Sequence, residues 1–161
     1  MVRRSSLPVR TRWARALRAV ANGHPRPRST VESRPTKPRP LIAVVDDEEA
    51  ICRALERLLR SAGFDVATFA TGAAFLESDG RWRAACVVLD VHMPGLSGSD
   101  VQAQLAGQDL PVVVITGRDS DEVRERALAA GAAAYMRKPV DDQMLLTTLA
   151  AAMSRGRRRR T

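Results

Sequence analysis

Between Leu41 and Met153, short apolar runs alternate with amphipathic segments along the chain. Five runs of about five residues are bounded by charged or turn residues, a pattern typical of strands that are buried on both faces of a parallel sheet. The predicted strands are Leu41–Val45, Asp65–Phe69, Ala85–Leu89, Pro111–Ile115 and Ala132–Met136.

The segments between these runs place apolar residues three and four positions apart, which predicts helices. The first helix carries Ile51, Leu55 and Leu59 and ends before Gly63, a residue that suits a helix stop. The other predicted helices are Gly72–Glu77, Ser99–Leu105, Asp119–Ala130 and Asp141–Met153.

Five consecutive strand–helix units favour parallel pairing through right-handed crossovers. The predicted fold class is therefore α/β, a doubly wound five-stranded parallel sheet of order 2-1-3-4-5, in a flavodoxin-like (βα)5 arrangement. A chain of 161 residues is long enough for one such domain with an ordinary core.

The net charge of +8 is unevenly distributed along the chain. Residues 1–40 hold eleven Lys and Arg against one Glu, residues 41–154 hold ten basic and seventeen acidic residues, and residues 155–161 hold five arginines. We therefore expect a basic, Pro/Arg-rich disordered arm and linker over 1–40, an acidic folded domain over 41–154 and an Arg-rich tail over 155–161. A high pI in such a chain describes its ends and does not by itself indicate nucleic-acid binding.

Several interpretations of the arm stay open. One interpretation is a solvated tail without a specific role. A second is that a short basic helix over Thr11–Ala21 binds nucleic acid or an anionic membrane. A third is that the arm results from a mis-called start codon. Its Arg-rich, acid-poor composition also resembles an organelle transit peptide. No apolar run approaches the roughly 18 residues of a membrane span, and two cysteines without motif spacing fit a reducing cytoplasm.

Three carboxylates are predicted to meet where the first and third strands end. Asp46 and Asp47 follow the first strand and Asp90 follows the third, and these two strands are neighbours at the switch point of the sheet. Clustered carboxylates raise one another's pKa unless a cation joins them, and oxygen-only ligands favour Mg²⁺ or Mn²⁺. The plainer alternative is that Asp46 and Asp47 begin a helix and that Asp90 lies in a turn.

The fourth and fifth strands add a hydroxyl and an ammonium group. Thr116 comes directly after the fourth strand, and Lys138, which precedes a proline, follows the fifth. A carboxylate nucleophile, a divalent cation, a hydroxyl donor and an ammonium suit phosphoryl transfer onto Asp90, because that reaction needs positioning and charge neutralisation. Separately, Thr116 could cap a turn and Lys138 could be a surface charge, but independent turn residues have no reason to converge at four strand ends.

The chain resembles the CheY-like receiver domain of two-component response regulators, in particular the nitrogen-fixation and nodulation regulators. The matching segments occur in the family's order and are Val44–Glu48 (VVDDE), Leu89–Gly98 (LDVHMPGLSG), Val114–Gly117 (VITG), Ala129–Ala132 (AAGA) and Lys138–Pro139. The resemblance covers roughly Leu41 to Met153.

The resemblance implies roles for the residues of the site. Asp90 is the phosphorylated aspartate; Asp47 and Asp90 hold Mg²⁺ through their side chains, Asp46 mainly through water and His92 through its backbone carbonyl. Thr116 and Lys138 contact the phosphoryl group, and Tyr135 is a switch residue coupled to Thr116. The protein is then a signalling domain that catalyses its own phosphotransfer and dephosphorylation and is not otherwise an enzyme.

The resemblance also implies partners. A sensor histidine kinase or a phosphotransfer protein supplies the phosphoryl group. Phosphorylation alters the surface formed by the fourth helix, the fifth strand and the last helix. Another protein or a second copy of the chain binds this altered surface. Because the sequence ends soon after Met153, we expect a stand-alone cytoplasmic receiver.

The alternative function is nucleic-acid or anionic-membrane binding by the basic ends. The lack of a recognition helix and of stacking aromatics argues against it. An aspartate-nucleophile phosphatase is set aside because His92 occupies the position of its second aspartate.

Overall fold

A computed structural model of the protein describes residues 37–159. Strands and helices alternate as the apolar pattern predicts. They are β1 (Leu41–Val45), α1 (Glu49–Ser61), β2 (Asp65–Phe69), α2 (Gly72–Glu77), β3 (Cys86–Asp90), α3 (Gly98–Leu105), β4 (Val112–Thr116), α4 (Asp121–Ala129), β5 (Ala134–Arg137) and α5 (Asp142–Arg159), with a single helical turn over Gly80–Arg83 before β3.

The five strands form one parallel sheet in the order β2-β1-β3-β4-β5. In the register, Val45 lies opposite Leu89 and Asp90 lies opposite Ile115, so β1, β3 and β4 end close to one another. The predicted fold class and strand order are confirmed.

Alternate residues of the central strands point into two cores, one on each face of the sheet. Ile42 and Val44 pack against α1 and α5, whereas Ala43 and Val45 pack against α2, α3 and α4. All four residues have no exposed surface, which is why the strand is apolar at every position instead of at every second one.

Several boundaries differ from the predicted ones. β3 and β4 each end one residue later than predicted, so that Asp90 and Thr116 are the last residues of their strands. The helical turn Gly80–Arg83 was not predicted, and α4 is shorter at both ends than the segment Asp119–Ala130.

Helix α5 extends six residues beyond the predicted end at Met153. The predicted end is wrong because the helix is placed by its apolar spacing, which stops at Met153, and the arginines that follow are assigned to a tail. Gly156 instead packs against Pro111, where a Cβ atom would lie 3.1 Å from the ring Cγ, and this close approach keeps the last turns of the helix against the domain. Residues 155–159 therefore continue α5.

The parallel strands all begin at one edge of the sheet and end at the opposite edge. We call the edge where the strands end the carboxyl edge and the edge where they begin the amino edge. Within residues 37–159, no helix combines the length and apolarity needed to cross a bilayer. The predicted helix Thr11–Ala21 and the arm up to residue 36 lie outside the described residues, and the division of the chain at residues 40 and 154 stays a prediction.

Candidate functional site

Three neighbouring strands end in the same local structure at the carboxyl edge. A side-chain oxygen at the strand end accepts a hydrogen bond from the backbone N–H two residues further on. Asp46 Oδ1 accepts from Glu48 at 2.9 Å, Asp90 Oδ1 from His92 at 3.2 Å and Thr116 Oγ1 from Arg118 at 3.1 Å. Asp and Thr suit these positions because their short side chains can bond to their own backbone.

The ammonium group of Lys138 lies among three carboxylates. Its Nζ is 2.7 Å from Asp46 Oδ2, 3.1 Å from Glu48 Oε1 and 3.4 Å from Asp90 Oδ2. Asp46 has no exposed surface and Asp90 is 3% exposed, whereas Glu48 lies at the surface. The structure therefore brings Asp46, Asp90 and Lys138 together as the sequence predicts, and it adds Glu48.

The surroundings shift the pKa values of Asp90 and Lys138 in the same direction. Burial and the neighbouring charge of Asp46 raise the pKa of Asp90 despite the opposing effect of Lys138. Burial alone would lower the pKa of Lys138, but its hydrogen bonds to Asp46 and Glu48 outweigh burial and raise it. The lysine thus stays cationic, and the carboxylate of Asp90 is held in a site that disfavours its charge.

The carboxylates fit a divalent cation. Asp46, Glu48 and Asp90 each offer an oxygen, and these oxygens lie within 4.8 Å of one another. Asp46 Oδ2 is buried, and within the described residues its close partner is the Lys138 ammonium at 2.7 Å. An all-oxygen donor set with several negative charges suits Mg²⁺.

Two of the predicted metal ligands lie at the border of this cluster. Asp47 is exposed and is not among the three clustered carboxylates, although it lines the depression above them. His92 is also exposed; its N–H bonds Asp90, and its ring Nε2 lies 3.4 Å from the carbonyl oxygen of Arg118. Ligation by the Asp47 side chain and by the His92 carbonyl stays a prediction.

A depression of about 560 Å³ covers the site. Residues of all four relevant strand ends line it: Asp47, Glu48, Asp90, His92, Met93, Gly117, Arg118 and Lys138. Asp90 lies in the wall of a space large enough for a small phosphorylated group, although little of its own surface is exposed.

Thr116 and Tyr135 both contact the loop between β4 and α4. The Thr116 hydroxyl donates to the carbonyl of Arg118 at 3.0 Å, and the half-buried Tyr135 donates from its hydroxyl to Asp119 Oδ1 at 3.0 Å. Burial, together with the hydrogen bond to Asp119, raises the pKa of the Tyr135 phenol. Each hydroxyl thus bonds the loop that follows β4, and coupling between the two residues stays a prediction.

Glu48 is the member of the cluster that sequence reasoning missed. It belongs to the acidic run Asp46–Glu49, and the charge pattern alone does not distinguish a residue that turns toward Lys138 from one that starts a helix. The contact to Lys138 joins residues 90 positions apart, so only the folded arrangement reveals it.

Comparison with known proteins identifies the family. Residues 42–150 match the family described as "Response regulator receiver domain", and the chain belongs to it. Receiver domains are signalling domains of two-component systems, in which a histidine kinase is the general partner, and they bind Mg²⁺ in an acidic pocket such as the one formed here by Asp46, Glu48 and Asp90.

Individual relatives agree with this assignment. The chain is 38% identical over 122 residues to nodulation protein W of Bradyrhizobium diazoefficiens, covering 74% of this chain and 54% of that protein. It is 37% identical over 115 residues to the response regulator protein TmoT of Ectopseudomonas mendocina, covering 70% of this chain and 52% of that protein. The chain thus spans about half the length of these curated relatives.

Solved structures show the same fold. A receiver protein from Burkholderia phymatum superposes with a TM-score of 0.66 at 45% identity, covering 72% of this chain and 96% of that one. The response regulator StyR gives a TM-score of 0.70 at 38% identity, covering 76% of this chain and 63% of that one. The first of these is covered almost completely, which agrees with a receiver domain as the folded unit.

Proposed function

We propose that Asp90 is the phosphoacceptor of a two-component phosphorelay. The free carboxylate oxygen of Asp90 attacks the phosphorus of a phosphohistidine on a sensor kinase or a phosphotransfer protein. A P–O bond forms, the P–N bond breaks, and the imidazole leaves with a proton in place of the phosphoryl group. Water later attacks the acyl phosphate and restores the carboxylate, so the domain catalyses its own dephosphorylation.

The observation that carries this proposal is the orientation of Asp90. One carboxylate oxygen accepts a hydrogen bond from the backbone N–H of His92, and the other lies 3.4 Å from the Lys138 ammonium. The first bond fixes the rotation of the carboxylate, and the ammonium lies where negative charge on a transferred phosphoryl group would need compensation. A turn residue on the surface would need neither contact.

Asp46 and Asp90, with Asp47 and the His92 carbonyl from the family resemblance, would hold Mg²⁺ or Mn²⁺, and Glu48 lies close enough to contribute. When bound, the cation supplies Lewis-acid neutralisation of the phosphoryl oxygens. Lys138 and Thr116 are the chain's own contributions: a fixed ammonium and a hydroxyl that can donate to a phosphoryl oxygen.

The response is proposed to travel through Thr116 and Tyr135 to the surface formed by α4, β5 and α5. When Thr116 turns to a phosphoryl group on Asp90, it leaves the Arg118 carbonyl, and the loop from Arg118 to Asp119 that also bonds Tyr135 can rearrange. A downstream protein or a second copy of this chain then binds the altered surface. We place this activity in the cytoplasm and assign it to residues 41–154, between the basic arm 1–40 and the basic tail 155–161.

The test is the intact mass of the protein after incubation with acetyl phosphate and Mg²⁺. The wild type and a matched control, Asp79→Ala, should gain one phosphoryl group, because Asp79 is an exposed carboxylate in an ordinary ion pair with Arg83. Asp90→Ala should gain none, and omission of Mg²⁺ should abolish the adduct.

An adduct that persists in Asp90→Ala contradicts the assignment of the acceptor. If the wild type shows no adduct while a known receiver is labelled in parallel, beryllofluoride binding decides between rapid hydrolysis and a site that cannot hold a phosphoryl group. Binding that depends on Asp90 and Mg²⁺ supports the proposal, and the lack of binding contradicts it.

A further inference from the structure

The amino edge of the sheet carries two adjoining depressions, on the opposite side of the domain from Asp90. The first has a volume of about 370 Å³ and the second about 180 Å³. Pro111 and Gly156 line both, so the two depressions meet where α5 passes the beginning of β4. Together we call them the amino-edge groove.

Arginines from the last turns of α5 border the groove along its length. Arg155 and Arg159 line the first depression and Arg157 lines the second. Among residues 37–159, no ion pair engages any of these three side chains. Within that part of the chain their charges are not neutralised by an ion pair, and they can attract an anionic ligand.

The acidic residues of the groove only partly offset this charge. Asp109 lines the first depression. Arg83 lines the second and pairs at 3.0 Å with Asp79, which lines neither; both side chains of this pair are largely exposed. An exposed pair of this kind is weak and exchanges readily with other partners. The groove is thus a locally basic surface on a domain whose residues 41–154 are acidic overall.

Trp82 places an aromatic ring at the same surface. It is 70% exposed and lines the second depression beside Arg157, and the Arg81 guanidinium lies 4.8 Å from its ring centroid. Stacking another planar ring on this exposed indole would bury apolar surface and is therefore favourable. The unpredicted helical turn Gly80–Arg83 is what presents it.

We propose that the amino-edge groove binds single-stranded nucleic acid, with phosphates at Arg155, Arg157 and Arg159 and an unpaired base against Trp82. Arginines that follow a phosphate backbone, next to an aromatic ring on which a base stacks, are the components of sequence-tolerant single-strand binding. A duplex would keep its bases stacked and would leave Trp82 without a partner. A lipid surface is flat on this scale and fits a concave groove less well than a flexible chain does.

The test is the affinity of the full chain for a fluorescein-labelled oligodeoxythymidine of about 16 nucleotides, measured by fluorescence anisotropy. Trp82→Ala should weaken binding about tenfold, because it removes one stacking contact, and Trp82→Phe should restore most of the loss. Arg157→Ala should also weaken binding. The matched control is Arg57→Ala, since Arg57 is an exposed arginine on α1 that lines neither depression.

The dependence on salt separates the two contributions. Arg157→Ala should reduce the slope of log Kd against log salt concentration by about 0.7, the value for one phosphate contact on a single strand. Trp82→Ala should leave the slope unchanged, since an indole ring releases no counterions. The Arg57→Ala control should match the wild type in affinity.

Equal affinities for the wild type, Trp82→Ala and Arg157→Ala would overturn the proposal, because any binding would then come from other basic residues. So would Trp82-dependent binding to phosphatidylserine vesicles with Trp82-independent binding to the oligonucleotide, which would indicate a membrane contact. Both variants should still form the acetyl phosphate adduct, since neither residue lies at the carboxyl edge. Failure at the groove and failure of the phosphoacceptor proposal are therefore distinguishable.

Discussion

The two edges of the sheet are built differently. At the carboxyl edge, Asp46, Asp90 and Thr116 fix the strand ends through side-chain oxygens, and an ammonium lies among largely buried carboxylates. At the amino edge, backbone groups connect the strand beginnings: the N–H of Ala85 bonds the carbonyl of Leu41 at 2.8 Å, and the N–H of Ala133 bonds that of Val112 at 2.7 Å. The charged side chains there lie at the surface.

This difference determines how well each edge tolerates substitution of its side chains. A backbone hydrogen bond is available to any residue except proline, so side chains at the amino edge can vary without loss of the fold. A buried charge or a side-chain bond at a strand end requires a particular residue. Substitutions at the carboxyl edge should therefore change both stability and phosphorylation, whereas equivalent substitutions at the amino edge should change binding alone.

Removal of a positively charged side chain should change the free energy of unfolding far more at the carboxyl edge than at the amino edge. Lys138→Ala removes the ammonium from beside Asp46 and Asp90, and uncompensated buried carboxylates should lower the free energy of unfolding by about 3 kcal/mol. Urea denaturation followed by circular dichroism measures this loss. The adduct from acetyl phosphate should also decrease strongly.

Arg157→Ala is the matched substitution at the amino edge, and it should change stability by less than about 0.5 kcal/mol because the side chain is exposed. Addition of Mg²⁺ should stabilise Lys138→Ala more than the wild type, since a cation can replace the missing charge. Equal losses for the two variants would contradict the distinction between the edges.

Glycines at the two edges provide a second contrast. A Cβ atom at Gly98 would lie 2.6 Å from the Asp90 carbonyl oxygen and from Val91 Cα, both of them backbone atoms that cannot yield easily. Gly98→Ala should cost about 2 kcal/mol by overpacking and should reduce phosphorylation by displacing Asp90. Thermal unfolding and the intact-mass assay measure the two effects.

Gly156→Ala is the corresponding change at the amino edge. Its Cβ would meet the Pro111 ring at 3.1 Å, while alanine gains roughly 0.5–1 kcal/mol over glycine inside a helix. We expect these effects nearly to cancel. A larger loss at Gly156 than at Gly98 would show that the amino edge is the more constrained of the two.

Neutralising Asp90 should increase stability. Because burial and Asp46 raise the pKa of Asp90 in the folded protein, the ionised carboxylate costs free energy above the unfolded-state pKa of about 3.9. Asp90→Asn should therefore have a higher denaturation midpoint than the wild type at pH 7. The gain should shrink as the pH falls through the raised folded pKa and vanish below the unfolded one, where both proteins are uncharged at this position.

Asp79→Asn is the control at the amino edge, since its carboxylate is exposed and, among residues 37–159, pairs with Arg83. Its stability at pH 7 should differ little from that of the wild type. A destabilised Asp90→Asn would indicate that attraction to Lys138 outweighs the cost of burial.

The smallest effect concerns Tyr135, the only tyrosine of the chain. Its pKa is raised by burial and by the hydrogen bond to Asp119. In Asp119→Asn, the phenol should ionise at a lower pH than in the wild type, which absorbance at 295 nm follows directly. Asp79→Asn should leave the titration unchanged, and an unchanged titration in Asp119→Asn would show that burial alone shifts the pKa.

The same difference explains what the sequence could predict. The apolar strands end next to Asp46, Asp90, Thr116 and Lys138, and the structure places all four at the carboxyl edge; their functional roles stay predictions. Glu48 was missed because its contact to Lys138 depends on the path of the chain after Asp46. The strand order followed from the alternation of elements alone.

At the amino edge the sequence was less informative. Trp82 lies in a four-residue helical turn, which is too short to show a periodic pattern. Its exposure could therefore not be predicted from the sequence, from which stacking aromatics were expected to be lacking. The end of α5 is predicted too early because the apolar spacing stops at Met153, and the contact between Gly156 and Pro111 is visible only in the folded chain. Both errors concern positions where tertiary packing decides the structure.

The turn after β4 differs from the two aspartate turns in the number of oxygens available. An aspartate that accepts a backbone N–H with one oxygen keeps a second for other chemistry, whereas threonine has one oxygen and one proton. That proton is donated to the Arg118 carbonyl, which the His92 ring also approaches. If Thr116 donates to a phosphoryl group on Asp90, as we propose, it gives up the Arg118 carbonyl while its oxygen can still accept the Arg118 N–H. The proposed modification of one strand end would therefore remove one of the two bonds that hold the loop after another.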